Sequence, residues 1–331
     1  MDCVDILLAT YNGEKYLKEQ IESILAQTYT DFRLIVSDDG SKDSTRQILT
    51  EYKNLDSRIE LHFQERNLGY IKNFEFLLKQ VKSKYYMLSD QDDVWDAEKV
   101  RISLEALKRE SAVLVFCDLL VVGENREIIN NSFWKAISVD KKIKKFQDYR
   151  LVYLYNCVTG CTILSDSKYI VNILPFPTDS WIAHDYWMAI VLSQHGKLCG
   201  IETPLIQYRQ HGNNQIGAFN KINDDPKPVK EKRQEFIGSK IEQFKVYCEN
   251  DEKFNPDLQL KNTRALNYFE DVYKKNFINF KGYGIFHFIY KNESLYYYLV
   301  NFVVLNMPFA LEILKALKGK LKQKSMGDNN G

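Results

Sequence analysis

One pattern recurs through the first 117 residues: a short apolar run, then a turn bearing Asp, Asn, Ser or Gly, then apolar residues at helical spacing. No other feature constrains the fold as tightly, because strands alternating with helices assemble into an α/β sheet covered by those helices. The apolar runs Val4–Ala9, Phe32–Ser37, Ile59–Gln64, Tyr85–Ser89 and Val113–Cys117 read as strands. Between them, Tyr16–Ala26 sets Leu17, Ile21, Ile24 and Leu25 on one helical face, and Ile71–Val81 does the same with Phe74, Leu77 and Leu78. Ser44–Tyr52 and Lys99–Arg109 are the remaining predicted helices of this half.

Past residue 117 the pattern loosens. Gly123–Lys145 is polar and irregular, Asn156–Ser165 reads as a strand carrying Gly160, and Asp185–Gln194 reads as a helix. Lys197–Ile201 and Leu205–Gln210 read as two short strands. Asn220–Lys232 is charged and holds two prolines, as linkers do. The expected organisation is a catalytic domain over residues 1–219, a linker over 220–235 and a helical region over 236–331.

Composition narrows the function. A net charge of +1 gives no whole-chain attraction for nucleic acid. Six scattered cysteines, without a C-x-x-C pair, suit small buried side chains in a reducing compartment. The opening MDCVDILLATYNG has neither the basic flank nor the apolar length of a signal peptide, so a cytoplasmic location is expected. The 13% aromatic content suits sugar stacking or a membrane interface as well as ordinary packing.

Chemistry-bearing residues gather where predicted strands end, which is where open α/β sheets bind ligands. The clusters are Ala9-Thr10-Tyr11-Asn12-Gly13, Ser37-Asp38-Asp39-Gly40-Ser41 and Ser89-Asp90-Gln91-Asp92-Asp93. Each alone could do no more than break a strand and cap a helix. Crowded carboxylates such as Asp90, Asp92 and Asp93, however, repel one another unless solvent or a cation compensates. Hard oxygen ligands at this spacing can hold Mg²⁺ or Mn²⁺ together with phosphate groups.

In order and spacing, ATYNG, VSDDGSKDST, the NLG of Asn67–Gly69 and the DxD-type LSDQDD resemble the inverting family 2 glycosyltransferases of GT-A fold, over roughly residues 1–215. The resemblance implies a Rossmann-like mixed sheet flanked by helices and a nucleotide-diphosphate sugar as donor. It implies that Thr10, Tyr11 and Asn12 line the donor pocket, that Asp38 and Asp39 meet the nucleoside, and that Asn67, Gly69 and Lys72 approach the nucleotide. Asp90 and Gln91 would face the ribose or sugar, and Asp92 would hold Mg²⁺ or Mn²⁺.

An inverting transfer needs a carboxylate to take the acceptor proton. The family usually supplies it from an ED pair at a helix start; here His184-Asp185-Tyr186-Trp187 stands instead, with His replacing Glu. HDxW resembles the branch that transfers rhamnose and related deoxysugars. Asp185 is the candidate base, with a helix N-cap as the competing role. Gly160, Trp187 and Asp93 are expected at the acceptor. His211, in RQHGNN, is expected to fold over the diphosphate and reach the metal.

Leu295–Leu311 is aromatic and apolar but broken by Asn301, Asn306 and Pro308, and five lysines follow by Lys324. It is too short and polar to span a bilayer; it either contacts an anionic membrane surface or packs as a helix. The resemblance favours dTDP-L-rhamnose as donor and a lipid-linked saccharide of bacterial surface polysaccharide as acceptor, at the inner face of the cell membrane. UDP-hexose or UDP-N-acetylhexosamine is the second donor reading. A sugar-1-phosphate nucleotidyltransferase would carry a glycine-rich basic loop that ATYNGEKY is not, and a non-catalytic binding subunit would not need Asp39, Asp90, Asp92 and Asp185 together.

Overall fold

The computed structural model describes residues 2–143, 156–178, 181–212, 229–274, 283–290 and 305. The chain divides into two compact units, Met1–Asn220 and Lys221–Gly331.

In the first unit the strands are β1 (Val4–Thr10), β2 (Phe32–Asp38), β3 (Ile59–Phe63), β4 (Tyr85–Ser89), β5 (Val94–Trp95), β6 (Leu114–Val122), β7 (Ile128–Asn130), β8 (Leu164–Asp166) and β9 (Leu198–Arg209). Its helices are α1 (Leu17–Leu25), α2 (Thr45–Leu55), α3 (Tyr70–Lys79), α4 (Lys99–Arg109), the short α5 (Phe133–Ala136), α6 (Asp140–Ile143) and α7 (Ile170–Ile173), and α8 (His184–Leu192). The strands form one mixed sheet in the order β3-β2-β1-β4-β8-β6-β9-β5, with β7 paired to β6. β1 to β4 run parallel, β8 is antiparallel to both β4 and β6, and β9 runs parallel to β6. This is the mixed, helix-flanked GT-A sheet that the sequence motifs imply.

Burial explains why these segments fold as they do. Leu17, Ile21 and Ile24 of α1 are fully buried with Ile6 and Leu8 of β1 and Leu34 and Val36 of β2 in one apolar cluster. Each such side chain contributes roughly 1.5–3 kcal/mol on leaving water, which sets the helix down on the sheet. Parallel β1 and β2 stay in register from Val4 opposite Phe32 to Thr10 opposite Asp38. Their ends therefore present Tyr11 and Asp39 along the same sheet edge.

Two expectations fail in detail. The two strands expected over Lys197–Ile201 and Leu205–Gln210 are one strand, β9, whose register against β6 shifts around Asp118, opposite Pro204. A proline and its neighbours ride through a sheet at such an irregularity without breaking the strand. Asn156–Ser165 is not a strand along its length: Gly160–Thr162 is a 3-10 turn, and pairing begins only at Leu164. The polar and irregular stretch after Gly123 holds short elements, β7, α5 and α6, as its loosened pattern suggests.

The second unit contains α9 (Val229–Glu249), α10 (Pro256–Lys274) and α11 (Tyr283–Tyr290). α9 and α10 pack through stacked Phe244 and Phe269, with ring centroids 5.7 Å apart. α9 starts inside the stretch expected as linker, whose residues 220–228 lie outside the described ones. The aromatic and lysine-rich segment after Leu295 also lies outside them, except Leu305, which is buried and whose carbonyl accepts from Arg233 at 2.9 Å. Among the described residues, no helix is long and apolar enough to cross a membrane.

Candidate active site

The loop after β1 is braced by its neighbours. Tyr11 N–H donates to Gln91 Oε1 at 2.8 Å, and Gln91 Nε2 donates back to Tyr11 O at 3.0 Å. Gln91, expected to touch the donor, thus latches two loops together. Asn12 sits at φ 47°, a left-handed conformation Asn tolerates, and its Oδ1 accepts from Lys42 N at 2.8 Å. Tyr11 is left 42% exposed, free to present its ring.

The two aspartates after β2 are both buried and do different work. Asp38 accepts from Arg46 Nε at 2.6 Å, from Ser41 and, at 3.4 Å, from Thr10 Oγ1. Asp39 accepts the main-chain N–H groups of Leu68 at 2.7 Å and Gly69 at 2.9 Å. Its carboxylate therefore shapes the NLG turn, where Gly69 takes φ 82°, a conformation costly for other residues. Asn67 Oδ1 shares the Gly69 N–H at 2.9 Å. Lys72 pairs with Glu75 at 2.9 Å on one wall of a cavity of about 530 Å³ that Arg66, Asn67 and Lys79 also line.

At the end of β4 the acidic loop crowds charge. Burial, then the charges of Asp92 and Asp185, push the Asp90 carboxyl up to about 7. Asp93 is fully buried, and burial with its acidic neighbours raises it well above the usual carboxylate range. One Asp93 oxygen accepts Arg209 N–H at 3.2 Å. Asp93, expected at the acceptor, has no exposed surface in this structure. Asp92 and His211, both expected at a metal, lie side by side, with His211 Nε2 2.9 Å from Asp92 Oδ2. His211 stacks beside Tyr16 at 4.7 Å. A carboxylate and an imidazole side by side suit a divalent cation, and ligand atoms of Asp90, Asp93 and Cys161 lie within 4.8 Å of one another, close enough to hold one as well.

The candidate base stands on α8. Asp185 is not the N-cap, a position held by Ala183. Its Oδ2 instead accepts Gly160 N–H at 2.9 Å and its Oδ1 accepts Tyr186 N–H at 2.6 Å. Gly160 is required: a Cβ there would stand 2.9 Å from His184 Nε2. His184 lies stacked on Phe74 at 4.3 Å, and burial lowers its pKa, so the imidazole is neutral. Trp187, expected at the acceptor, is fully buried, with Nε1 donating to Ile173 O at 2.9 Å; it anchors α8 in the core.

Two residues that hold the site together are not among the expected site residues. Arg209 is buried and spans it, donating to Asp92 O at 2.9 Å, Glu124 O at 2.7 Å and Glu19 Oε2 at 2.8 Å. Lys99, at the start of α4, has no exposed surface; its ammonium donates to Cys161 O at 2.7 Å and sits 3.0 Å from the centroid of the Trp95 ring. Burial brings it down to about 7.

Residues 5–168 match the model of the family described as glycosyl transferase family 2. A glycosyltransferase of Haemophilus influenzae whose function is uncharacterised is 30% identical over 248 residues, covering 72% of this chain and 75% of its own length. The chain is a family 2 glycosyltransferase. The enzyme is also 31% identical to a dTDP-rhamnosyl transferase, RfbG, of Shigella flexneri, over 64% of this chain and 74% of that one. In fold it is similar to the mannosyltransferase PcManGT of Pyrobaculum calidifontis, solved with GDP-Man and Mn²⁺, at a TM-score of 0.52 and 15% identity over 96% of this chain and 80% of that one.

Proposed function

We propose that this glycosyltransferase moves a sugar, with inversion, from a nucleotide-diphosphate donor to a saccharide acceptor in bacterial surface polysaccharide synthesis. The observation that carries the reading is Asp185, buried and hydrogen-bonded to the Gly160 turn, lying within the electrostatic reach of Asp90. A base and a donor-side carboxylate, in this reading, lie close enough for the charge of one to act on the other.

In this reading Asp185 takes the proton of the acceptor hydroxyl as that oxygen bonds to the anomeric carbon. The bond from that carbon to the diphosphate breaks, and the nucleoside diphosphate leaves with the electron pair. Gly160 N–H holds one carboxylate oxygen so that the other lone pairs aim at the acceptor. Asp39 fixes the NLG turn against the nucleotide, and Tyr11 offers its ring face to the base. Asp92 and His211, with Asp90 alongside, would hold Mg²⁺ or Mn²⁺, which neutralises charge on a departing diphosphate.

For the donor we favour dTDP-L-rhamnose, supported by the HDxW segment and by the similarity to RfbG. The acceptor we favour is lipid-linked, reached at the inner membrane face through the aromatic and lysine-rich segment after Leu295. A screen of dTDP-L-rhamnose against UDP- and GDP-linked hexoses, followed by ¹H NMR of the purified enzyme with Mn²⁺ replaced by Mg²⁺, tests this. Consumption of dTDP-L-rhamnose is expected; consumption of a UDP-hexose alone would overturn the donor assignment.

A further inference from the structure

A lysine without exposed surface calls for a physical reason, since taking an ammonium out of water costs several kcal/mol even after relaxation. Lys99 satisfies its ammonium with the face of Trp95 and the main-chain carbonyl of Cys161, not with a carboxylate. Cys161 is the middle residue of the turn Gly160–Thr162. The preceding residue of that turn, Gly160, donates its N–H to Asp185 Oδ2 at 2.9 Å. The turn is therefore gripped from two sides, by α4 through the lysine and by α8 through the aspartate.

We propose that Lys99 is a positioning residue for the Asp185 carboxylate, acting through the Gly160–Thr162 turn. This rests on the reading of Asp185 as the base. The turn's other bonds are Thr162 N–H to Thr159 O at 2.9 Å, Thr162 Oγ1 to Thr159 O at 2.6 Å, Ile163 N–H to Gly160 O at 3.1 Å and, just beyond it, Leu88 N–H to Ile163 O at 3.4 Å. None of these ties it to α4. On the other side, His184 Nε2 lies 2.9 Å from where a Cβ on Gly160 would stand, so the turn approaches α8 closely there only because residue 160 is glycine. Removing the lysine's hydrogen bond takes away the turn's tie to α4 and loosens the support of the Gly160 N–H. The groups facing Asp185 from neighbouring elements are Asp90 after β4, Tyr70 of α3 and His184 beside it. None of the three supplies a fixed positive charge, so the Gly160 N–H matters to how that carboxylate is held.

The test compares wild type, Lys99→Met and Lys99→Gln as full-length proteins with selective ¹⁵N-glycine labelling. Met matches the lysine stem in volume and replaces a buried ammonium by an apolar group, a change that proteins often tolerate. Gln keeps an N–H donor on a shorter stem. Hydrogen exchange at the Gly160 amide is read alongside turnover and the affinity for dTDP. In Lys99→Met we expect Gly160 to exchange at least about tenfold faster and kcat to fall about tenfold, while dTDP affinity stays within twofold. Lys99→Gln should recover part of both effects. Unchanged Gly160 exchange in Lys99→Met overturns the inference, and so does faster exchange with undiminished kcat. A wild-type enzyme that releases no nucleoside diphosphate from any donor would overturn the glycosyl-transfer reading instead, and the exchange result would still decide whether Lys99 holds the turn.

Discussion

His211 and Asp92 stand 119 positions apart in sequence, yet Nε2 of one lies 2.9 Å from Oδ2 of the other. The contact exists because β9 runs parallel to β6 and ends in Arg209, whose side chain is bonded to the main chain of Asp92. The sheet thus delivers a nitrogen donor to the acidic loop from the far end of the domain. If the pair grips a cation, both members should matter alike. Asp92→Asn and His211→Ala should each weaken the Mn²⁺ enhancement of dTDP binding by ~10-fold or more. Calorimetry with and without Mn²⁺ measures it, and equal enhancement in wild type and both variants would remove the pair from the metal site.

Asp185→Asn and Asp185→Ala separate chemistry from structure. Asn keeps an oxygen for the Gly160 N–H but cannot take a proton, so folding and donor affinity should hold while kcat falls at least ~10²-fold. Ala also strands the buried Gly160 N–H and should lose about 1–3 kcal/mol of stability. Thermal melts and single-turnover assays distinguish the two. Near-normal turnover in folded Asp185→Asn would mean that the proton goes elsewhere.

Asp39 should act on nucleotide affinity through the turn it holds. Asp39→Ala leaves the Leu68 N–H without its acceptor and the Gly69 N–H with Asn67 Oδ1 alone. Affinity for dTDP should drop by roughly 1–3 kcal/mol, and proteolysis near Asn67 should quicken. A variant that binds dTDP like wild type would show that the turn needs no such clamp.

Stability should respond to pH through Asp90. Its carboxyl is pushed up to about 7, above the ordinary 3.8, so the folded state holds that proton more tightly than the unfolded state does. The associated stability is fully present below the unfolded value and is lost as pH rises towards about 7. Without metal, wild type should therefore lose thermal stability relative to Asp90→Asn between about pH 5 and about pH 7, and Mn²⁺ should narrow the difference. A constant difference across that range would mean that Asp90 titrates normally.

Much of the donor side could be seen in the sequence, because each strand and its turn are local. Asp39 and the NLG turn lie 28 to 30 residues apart, and both motifs carry recognisable composition. What stayed hidden depends on contacts across the fold. Gly160 sits in an apolar stretch that mimics a strand, but it opens a turn closed by the Ile163 N–H on Gly160 O, and its own N–H goes to Asp185, 25 residues on. Lys99 opens a helix that looks amphipathic, and nothing local announces that its ammonium points inward at Trp95 and Cys161. Asp93 and Trp187 stand beside reactive residues in sequence, yet strand and helix geometry turn both into the core. The long β9 was concealed by Pro204, whose effect is absorbed by the irregular register.

β9 also bears on how the protein can be dissected. It lies between β6 and β5 in the sheet, well beyond residue 168, where the family match stops. A fragment cut at that point would bare one edge of β6 along most of its length, and unpaired edges recruit other chains. Such a fragment should be made in cells as an aggregate. An expressible minimal enzyme has to run at least through His211, so the border drawn by sequence similarity falls inside the working unit.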